Sequence, residues 1–329
     1  MELRILSAAE VVQALPMAAA IEGMKTAFAQ LSAGQVTVPV RVHVGVPQHD
    51  GVSLFMPALL HQSGDLAVKV VSVFPHNPTK GLPVINGIVL VLDETTGVPR
   101  ALMDGGSLTA VRTGAVSGAA TDLLANPDAS SVAIIGSGVQ ARTQLEAVCT
   151  VRQITAVYVY SPNRDHAEAF AAAAAGRGPI PANVVVVHSA ETAVSQADII
   201  CAATSSYTPV FDGRALKPGA HVNGVGSFRT TMQEIDLATV QRSLVVVDSR
   251  EAMWEEAGDL VIPLNAGDIA ESHIHAELGE LVSGAKPGRT SRDQITFFKS
   301  VGVAVQDAIS GRIALENAVA HGLGTLVQL

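Results

Sequence analysis

The stretch Val132-Ala133-Ile134-Ile135-Gly136-Ser137-Gly138-Val139-Gln140-Ala141 constrains the fold of this chain more than any other. An apolar run of strand character enters a turn with glycines at Gly136 and Gly138 and a small residue at Ala141; residues 142–151 then read as a helix. In such a strand–turn–helix the tight turn lets backbone amides approach a pyrophosphate at the helix N-terminus. Taken alone, a GxGxxA pattern also suits a Gly-rich turn in any α/β protein. Here a second strand, residues 156–160, follows at the distance the fingerprint requires. The segment points to dinucleotide binding.

From Ser131 onward, short apolar runs at 132–135, 156–160, 184–187, 199–202, 221–225 and 244–247 alternate with helical or polar stretches. That alternation specifies a parallel sheet covered on both faces. The first part of the chain reads differently. Residues 7–33 form one or two helices, with Ser7 an N-cap three residues before Glu10, and Gly34 ends the pattern. Strands at 37–46, 52–56, 66–74, 87–93 and 99–104 then follow one another without helices, which suits an antiparallel or mixed sheet. A long helix at 107–124 leads into the second half, and 301–321 reads as an amphipathic helix free to return to the first. The expected fold class is α/β: a Rossmann-type parallel-sheet domain plus a β-rich α+β domain.

Composition narrows the functions available. Apolar residues make up 48% of the 329 and charged residues only 16%, which allows a large core and a buried subunit interface. A net charge of −9 argues against non-specific binding to nucleic acid or anionic membranes. Cys149 and Cys201 both lie in apolar runs and are expected as buried thiols of a reducing compartment. No apolar run reaches membrane-spanning length. The N-terminal segment, with Glu10 and Glu22 in a helical pattern, lacks the layout of a signal peptide, so a cytoplasmic location is expected. His273 and His275 would share a strand face but have no third ligand at useful spacing, so no metal site is expected. Ser137 lacks the GxSxG setting of a nucleophile.

Cofactor choice is read at the tip of the second strand. NAD-binding sheets usually carry an acidic residue there; this chain has Tyr160-Ser161-Pro162-Asn163-Arg164, with the first carboxylate, Asp165, inside the following helix. A hydroxyl, an amide and a guanidinium suit the 2′-phosphate of NADP. Arg164 also reads as an ordinary solvated charge, although a cation at a helix N-terminus opposes the macrodipole unless an anion is there. NADPH is the expected cofactor, with NADH as the alternative.

Three cations in the first half stand out. Lys69 shares a strand face with Ala67, Val71 and Val73, where an ammonium is costly unless an anion meets it. An edge-strand lysine that discourages aggregation is the other reading. Arg112 follows Asp104 on a helix among small residues, and Arg41 falls within the strand pattern Pro39-Val40-Arg41-Val42-His43. Converging, the three would make a carboxylate site, since Arg binds that group bidentately.

Several segments resemble the ornithine cyclodeaminase/mu-crystallin family: Lys69-Val70-Val71-Ser72-Val73-Phe74-Pro75, Gly81-Leu82-Pro83, and Asp104-Gly105 followed by Leu108-Thr109-Ala110-Val111-Arg112-Thr113. The likeness continues through the Gly136 turn, His221-Val222-Asn223, Gly258-Asp259-Leu260 and Phe298-Lys299-Ser300-Val301-Gly302. It implies a substrate-binding and dimerisation domain at 1–118 and 305–329, with a Rossmann domain inserted at 119–304. It also implies a homodimer and an active site in the cleft between domains. Arg41, Lys69 and Arg112 match residues that hold the substrate carboxylate, while Ser137, Val139 and Gln140 match the pyrophosphate turn. Ser161, Asn163 and Arg164 fall at the adenosine ribose; Thr204, Val225 and Ser227 fall near the nicotinamide half.

Departures from the cyclodeaminase branch indicate the reaction. Leu54 stands where cyclodeaminases carry a Glu suited to an ω-amine, and Phe228 where they and archaeal alanine dehydrogenases carry an Asp. The sequence around Gly226-Ser227-Phe228 resembles the ketimine reductase branch. The expected activity is NAD(P)H-dependent reduction of a cyclic ketimine carboxylate, Δ1-pyrroline-2-carboxylate or Δ1-piperideine-2-carboxylate, to the L-amino acid. Alternatives are an alanine dehydrogenase-like amino-acid dehydrogenase, an ornithine cyclodeaminase, or a non-catalytic NADP-binding protein.

Overall fold

A computed structural model describes residues 1–329. The chain forms two compact units, residues 1–112 with 303–329 and residues 113–302. The division falls inside a helix, at Arg112/Thr113, where the sequence pattern has no break.

In the first unit, strand β1 (Glu2–Leu6) is followed by helices α1 (Ala8–Ala14) and α2 (Met17–Ser32). Ser7 and Glu10 cap α1 reciprocally: the Ser7 amide and hydroxyl both donate to the Glu10 carboxylate, at 2.9 and 2.6 Å. Pro16 separates the two helices. Strands β2 (Val36–Thr37), β3 (Val42–Val46), β4 (Gly51–Leu60), β5 (Asp65–Val73), β6 (Ile85–Leu92) and β7 (Pro99–Asp104) lead into helix α3 (Gly105–Leu124). The expected single strand at 37–46 is therefore two, broken around Pro39, and Arg41 lies in the link before β3 rather than within a strand.

These strands form a mixed sheet in which β4 to β7 run antiparallel, β1 adds parallel to β7, and the C-terminal strand Thr325–Gln328 completes the edge beside β1. Sequence reading missed both β1 and this C-terminal strand. The C-terminal helix Ala304–His321 packs on β4, β5 and β6. Its first eight residues are buried on every side, so it is not the amphipathic helix expected there. At Gly311 an added Cβ would lie 2.7 Å from a Val91 methyl, which explains a glycine where this helix crosses the sheet.

The second unit holds strands β8 (Ser131–Ile135), β9 (Ala156–Tyr160), β10 (Val184–Val186), β11 (Ile199–Ala202), β12 (His221–Gly224), β13 (Ser243–Val247), β14 (Ile274–Glu277) and β15 (Ile295–Lys299). All pairs are parallel, in the order β10-β9-β8-β11-β12-β15-β13-β14. Side chains alternate between two cores. Ala133, Ile135, Ile200, Ala202 and Val222 enter one, whereas Val132, Ile134, Val157, Ile199 and Cys201 enter the other. Burial on both faces is why these strands read as unbroken apolar runs. Helices α4 (Val139–Val151), α5 (Arg164–Ala174), α6 (Ala190–Gln196), α7 (Leu237–Arg242), α8 (Arg250–Glu256), α9 (Gly258–Ala266) and α10 (Leu278–Val282) make the connections.

Cys149 and Cys201 are buried free thiols, each pushed up to about 12 chiefly by burial. No helix is long and apolar enough to cross a membrane. His273 sits in a short turn before β14, and the ring Nε2 atoms of His273 and His275 lie 2.8 and 2.9 Å from the carbonyls of Val240 and Pro287.

Candidate functional site

Chemistry-bearing residues gather at one place in each unit. In the first, β5 is paired on both sides, which removes the edge-strand reading of Lys69. Register places Lys69 between Met56 of β4 and Val89 of β6, both buried. The C-terminal helix brings Asp307 onto this face. The Lys69 Nζ lies 3.3 Å from both Asp307 carboxylate oxygens, and the Arg112 Nε lies 3.3 Å from Oδ1. Arg112 also donates through Nη1 to Gln306 Oε1 at 2.9 Å, an oxygen that accepts the Val303 amide as well. Lys69, Arg112, Gln306 and Asp307 are all buried.

One carboxylate thus faces two cations, with a third, Arg41, close enough to act on Lys69. Burial foremost, with the Arg112 and Arg41 charges, pulls Lys69 down to about 8, while Asp307 acts in the opposite direction. Positive charge is in excess, so the cluster is suited to an anionic ligand. Leu54 pairs with Val71, on the same strand face as Lys69, and gives this surface an apolar side chain. Asp307 and Gln306 carried no signal in the sequence reading.

In the second unit, Gly136 has φ +109°, and a Cβ there would come within 2.6 Å of the Ala203 carbonyl oxygen. Only glycine fits this turn. Gly138 is the N-cap of α4 and has open space where a Cβ would stand. It offers no side-chain acceptor to the first-turn amides, whereas Asn163, Ser189, Asp236 and Ser249 cap α5, α6, α7 and α8. Uncapped amides at a helix N-terminus are what a pyrophosphate needs. A cavity of about 720 Å³ lies there, lined by Gly136, Ser137, Gly138, Val139 and Gln140, by Tyr160 to Pro162, and by Ala203 to Ser206. Strand order reverses between β8 and β11, at this cavity, where open parallel sheets bind their ligands. The residues present fit a dinucleotide.

The remaining sequence-derived candidates have other surroundings. Asn163 accepts the His166 amide as a helix cap. Arg164, about half exposed, pairs with Glu168 at 2.7 Å and lies 3.1 Å from His188 Nδ1. Val225 is buried, its amide donating to the Ala202 carbonyl. Ser227 is fully buried, and its hydroxyl donates to the Met232 carbonyl at 2.9 Å. Phe228 is exposed, with the Arg229 guanidinium 5.7 Å from its ring centre.

A profile of the ornithine cyclodeaminase/mu-crystallin family matches residues 1–322. The chain is 42% identical over 325 residues to a Δ1-pyrroline-2-carboxylate reductase of Bacillus cereus (strain ATCC 10987 / NRS 248), covering 98% of this chain and 99% of that one. Among solved structures, the Δ1-pyrroline-2-carboxylate reductase of Thermococcus litoralis in complex with NADH and L-proline superposes with a TM-score of 0.92. It is 44% identical, over 98% of this chain and 99% of that one. An archaeal alanine dehydrogenase dimer with bound NAD gives a TM-score of 0.91 at 32% identity, over the full length of both chains.

Proposed function

The chain belongs to the ornithine cyclodeaminase/mu-crystallin family, and on that premise we propose that it reduces a cyclic ketimine carboxylate to the L-amino acid. Δ1-Pyrroline-2-carboxylate, which gives proline, is the favoured substrate, because reductases that resemble this chain over nearly its whole length are named for it. The observation that carries the reading is the buried Lys69–Asp307–Arg112 cluster, a surplus of positive charge on an apolar sheet face. A small ring bearing one carboxylate matches such a surface, and Leu54 offers no partner to a second amine.

Arg112, Arg41 and Lys69 hold the acid group of the ring. The Gly136–Gln140 turn and the first turn of α4 hold the pyrophosphate of the nicotinamide cofactor, which supplies the hydride when bound. Held by its acid group, the ring keeps its imine carbon in one orientation toward hydride, and fixed geometry of this kind is much of the catalysis. Lys69, at about 8, lies near enough to neutrality to pass a proton to the imine nitrogen. The first unit, residues 1–112 with 303–329, serves substrate binding and dimerisation, and the second, 113–302, serves the cofactor.

NADPH is the preferred form. No carboxylate stands at the tip of β9, and the Arg164 guanidinium is accessible to a 2′-phosphate. The protein works as a homodimer in the cytoplasm, with a small imino acid as its partner in reaction.

Alanine dehydrogenase activity is the rival, favoured by the archaeal neighbour. A panel of substrates separates the two. Purified protein is expected to oxidise NADPH with preformed Δ1-pyrroline-2-carboxylate, more slowly to use NADH, and to show no turnover with pyruvate plus ammonia or with ornithine. Turnover with pyruvate and ammonia, but not with the cyclic imine, would overturn the reading.

A further inference from the structure

A dinucleotide lying across the β8–β11 switch point has one end over β9 and the other over β11 and β12. The adenosine end is the one read at the tip of β9, so the nicotinamide end belongs to the loops after β11 and β12. Backbone hydrogen bonds join the far ends of those two loops, from the Val210 amide to the Glu234 carbonyl and from the Gln233 amide to the Ser206 carbonyl; at Thr204, Gly226 and Ser227 the tie is a single side chain. Glu234 Oε1 accepts the Thr204 amide at 2.5 Å, and its Oε2 accepts the Gly226 and Ser227 amides at 2.6 and 3.0 Å. The loops touch so closely that a Cβ on Gly226 would lie 2.1 Å from the Thr204 carbonyl oxygen. Thr204 lines the dinucleotide cavity.

The carboxylate is itself anchored. Asp259 Oδ1 accepts the amides of Glu234 and Ile235 at 2.7 and 3.0 Å. Lys299 pairs with Asp259 Oδ2 at 2.9 Å and donates to the Ser227 carbonyl at 2.6 Å. A Cβ on Gly258 would meet the Met232 carbonyl at 2.0 Å, so the loop leading to Glu234 rests directly on the start of α9. Glu234, Asp259 and Lys299 are all fully buried. Two buried acids and one base are a poor means of gaining stability, since apolar residues of similar volume are often as good or better. What they deliver is position: one rigid carboxylate fixes three amides from two loops.

We propose that Glu234 is the positioning residue for the nicotinamide end of the cofactor, with Lys299 and Asp259 holding it in place. The proposal rests on the dinucleotide reading above. Glu234→Gln leaves one acceptor oxygen and turns an amide NH₂ toward backbone donors, so the Thr204, Gly226 and Ser227 amides lose their common anchor while the backbone bonds between the loops remain.

The test compares NADH with ADP-ribose, which lacks the nicotinamide, and in parallel NADPH with 2′-phospho-ADP-ribose, on wild type and Glu234→Gln. The variant is expected to bind the reduced dinucleotides about tenfold more weakly, the equivalent of one ordinary hydrogen bond. It should bind the two ADP-ribose ligands as wild type does. Unchanged affinity for the dinucleotides would overturn the proposal. Equal weakening of both ligand types would also overturn it, since that marks a general loss of the fold. Wild-type protein that binds none of the four would instead remove the dinucleotide reading itself. Should Glu234→Gln fail to fold, Glu234→Asp keeps the charge, withdraws it by one methylene and is judged by the same comparison.

Discussion

An ammonium removed from water must meet an anion or lose its proton, and Lys69 stands between those outcomes. Asp307 favours its charged form, whereas burial and the neighbouring guanidinium groups of Arg112 and Arg41 oppose it, leaving it at about 8. If the charged form grips the substrate, kcat/KM falls as pH rises through about 8. Asp307→Asn keeps the shape and removes the one charge that favours the ammonium, so this alkaline limb should move to lower pH. A pH–rate profile superimposable on that of wild type would refute Asp307's electrostatic role. Lys69 and Arg112 were legible in the sequence because a charge inside an apolar pattern is conspicuous. Asp307 was not, because its partner Lys69 lies 238 residues away and nothing local in its helix marks the pairing. Ser227 shows the converse: its place in a family-like motif is visible, but its burial under Met232 is not.

At the scale of elements, apolar runs located most of the inner strands of both sheets, since burial on one or two faces leaves a direct trace in the text. The first and last strands of the first unit were missed. Glu2–Leu6 and Thr325–Gln328 are short, and they lie second from the sheet's edge and at that edge, where alternation is weak. Strand β15 was also missed, and its insertion between β12 and β13 follows no order the sequence could reveal. Cross-strand register exposes a further feature. Val42, Phe55, Val70 and Ile88 form one row across β3, β4, β5 and β6, on the face opposite Lys69, and Val42, Phe55 and Ile88 are exposed. An apolar row of this kind on a sheet face needs a cover, which a second copy of the chain would supply in the proposed homodimer. Sedimentation should give the mass of two chains for wild type and of one for Phe55→Glu; a wild-type monomer would remove the assignment.

For the whole molecule, the chain leaves its first unit at Arg112 and comes back at Val303, so two residues of one buried ion cluster, Arg112 and Asp307, bracket the entire second unit. In the proposed reaction, the unit that would hold the cofactor is inserted between the residues that would hold the acid. Family and fold were legible because the Gly136 turn and the Lys69 and Arg112 segments are local patterns. The choice of reaction within the family rested on two absences, the missing carboxylates at Leu54 and Phe228, which only a comparison makes visible. If buried cations grip the acid group of a cyclic imine, taking that group away must cost the enzyme heavily. Steady-state rates with Δ1-pyrroline-2-carboxylate and with 1-pyrroline, the same ring without the acid, should differ in kcat/KM by about a thousandfold, as the loss of one partner from a buried charged site requires. Comparable kcat/KM values for the two rings would contradict the account.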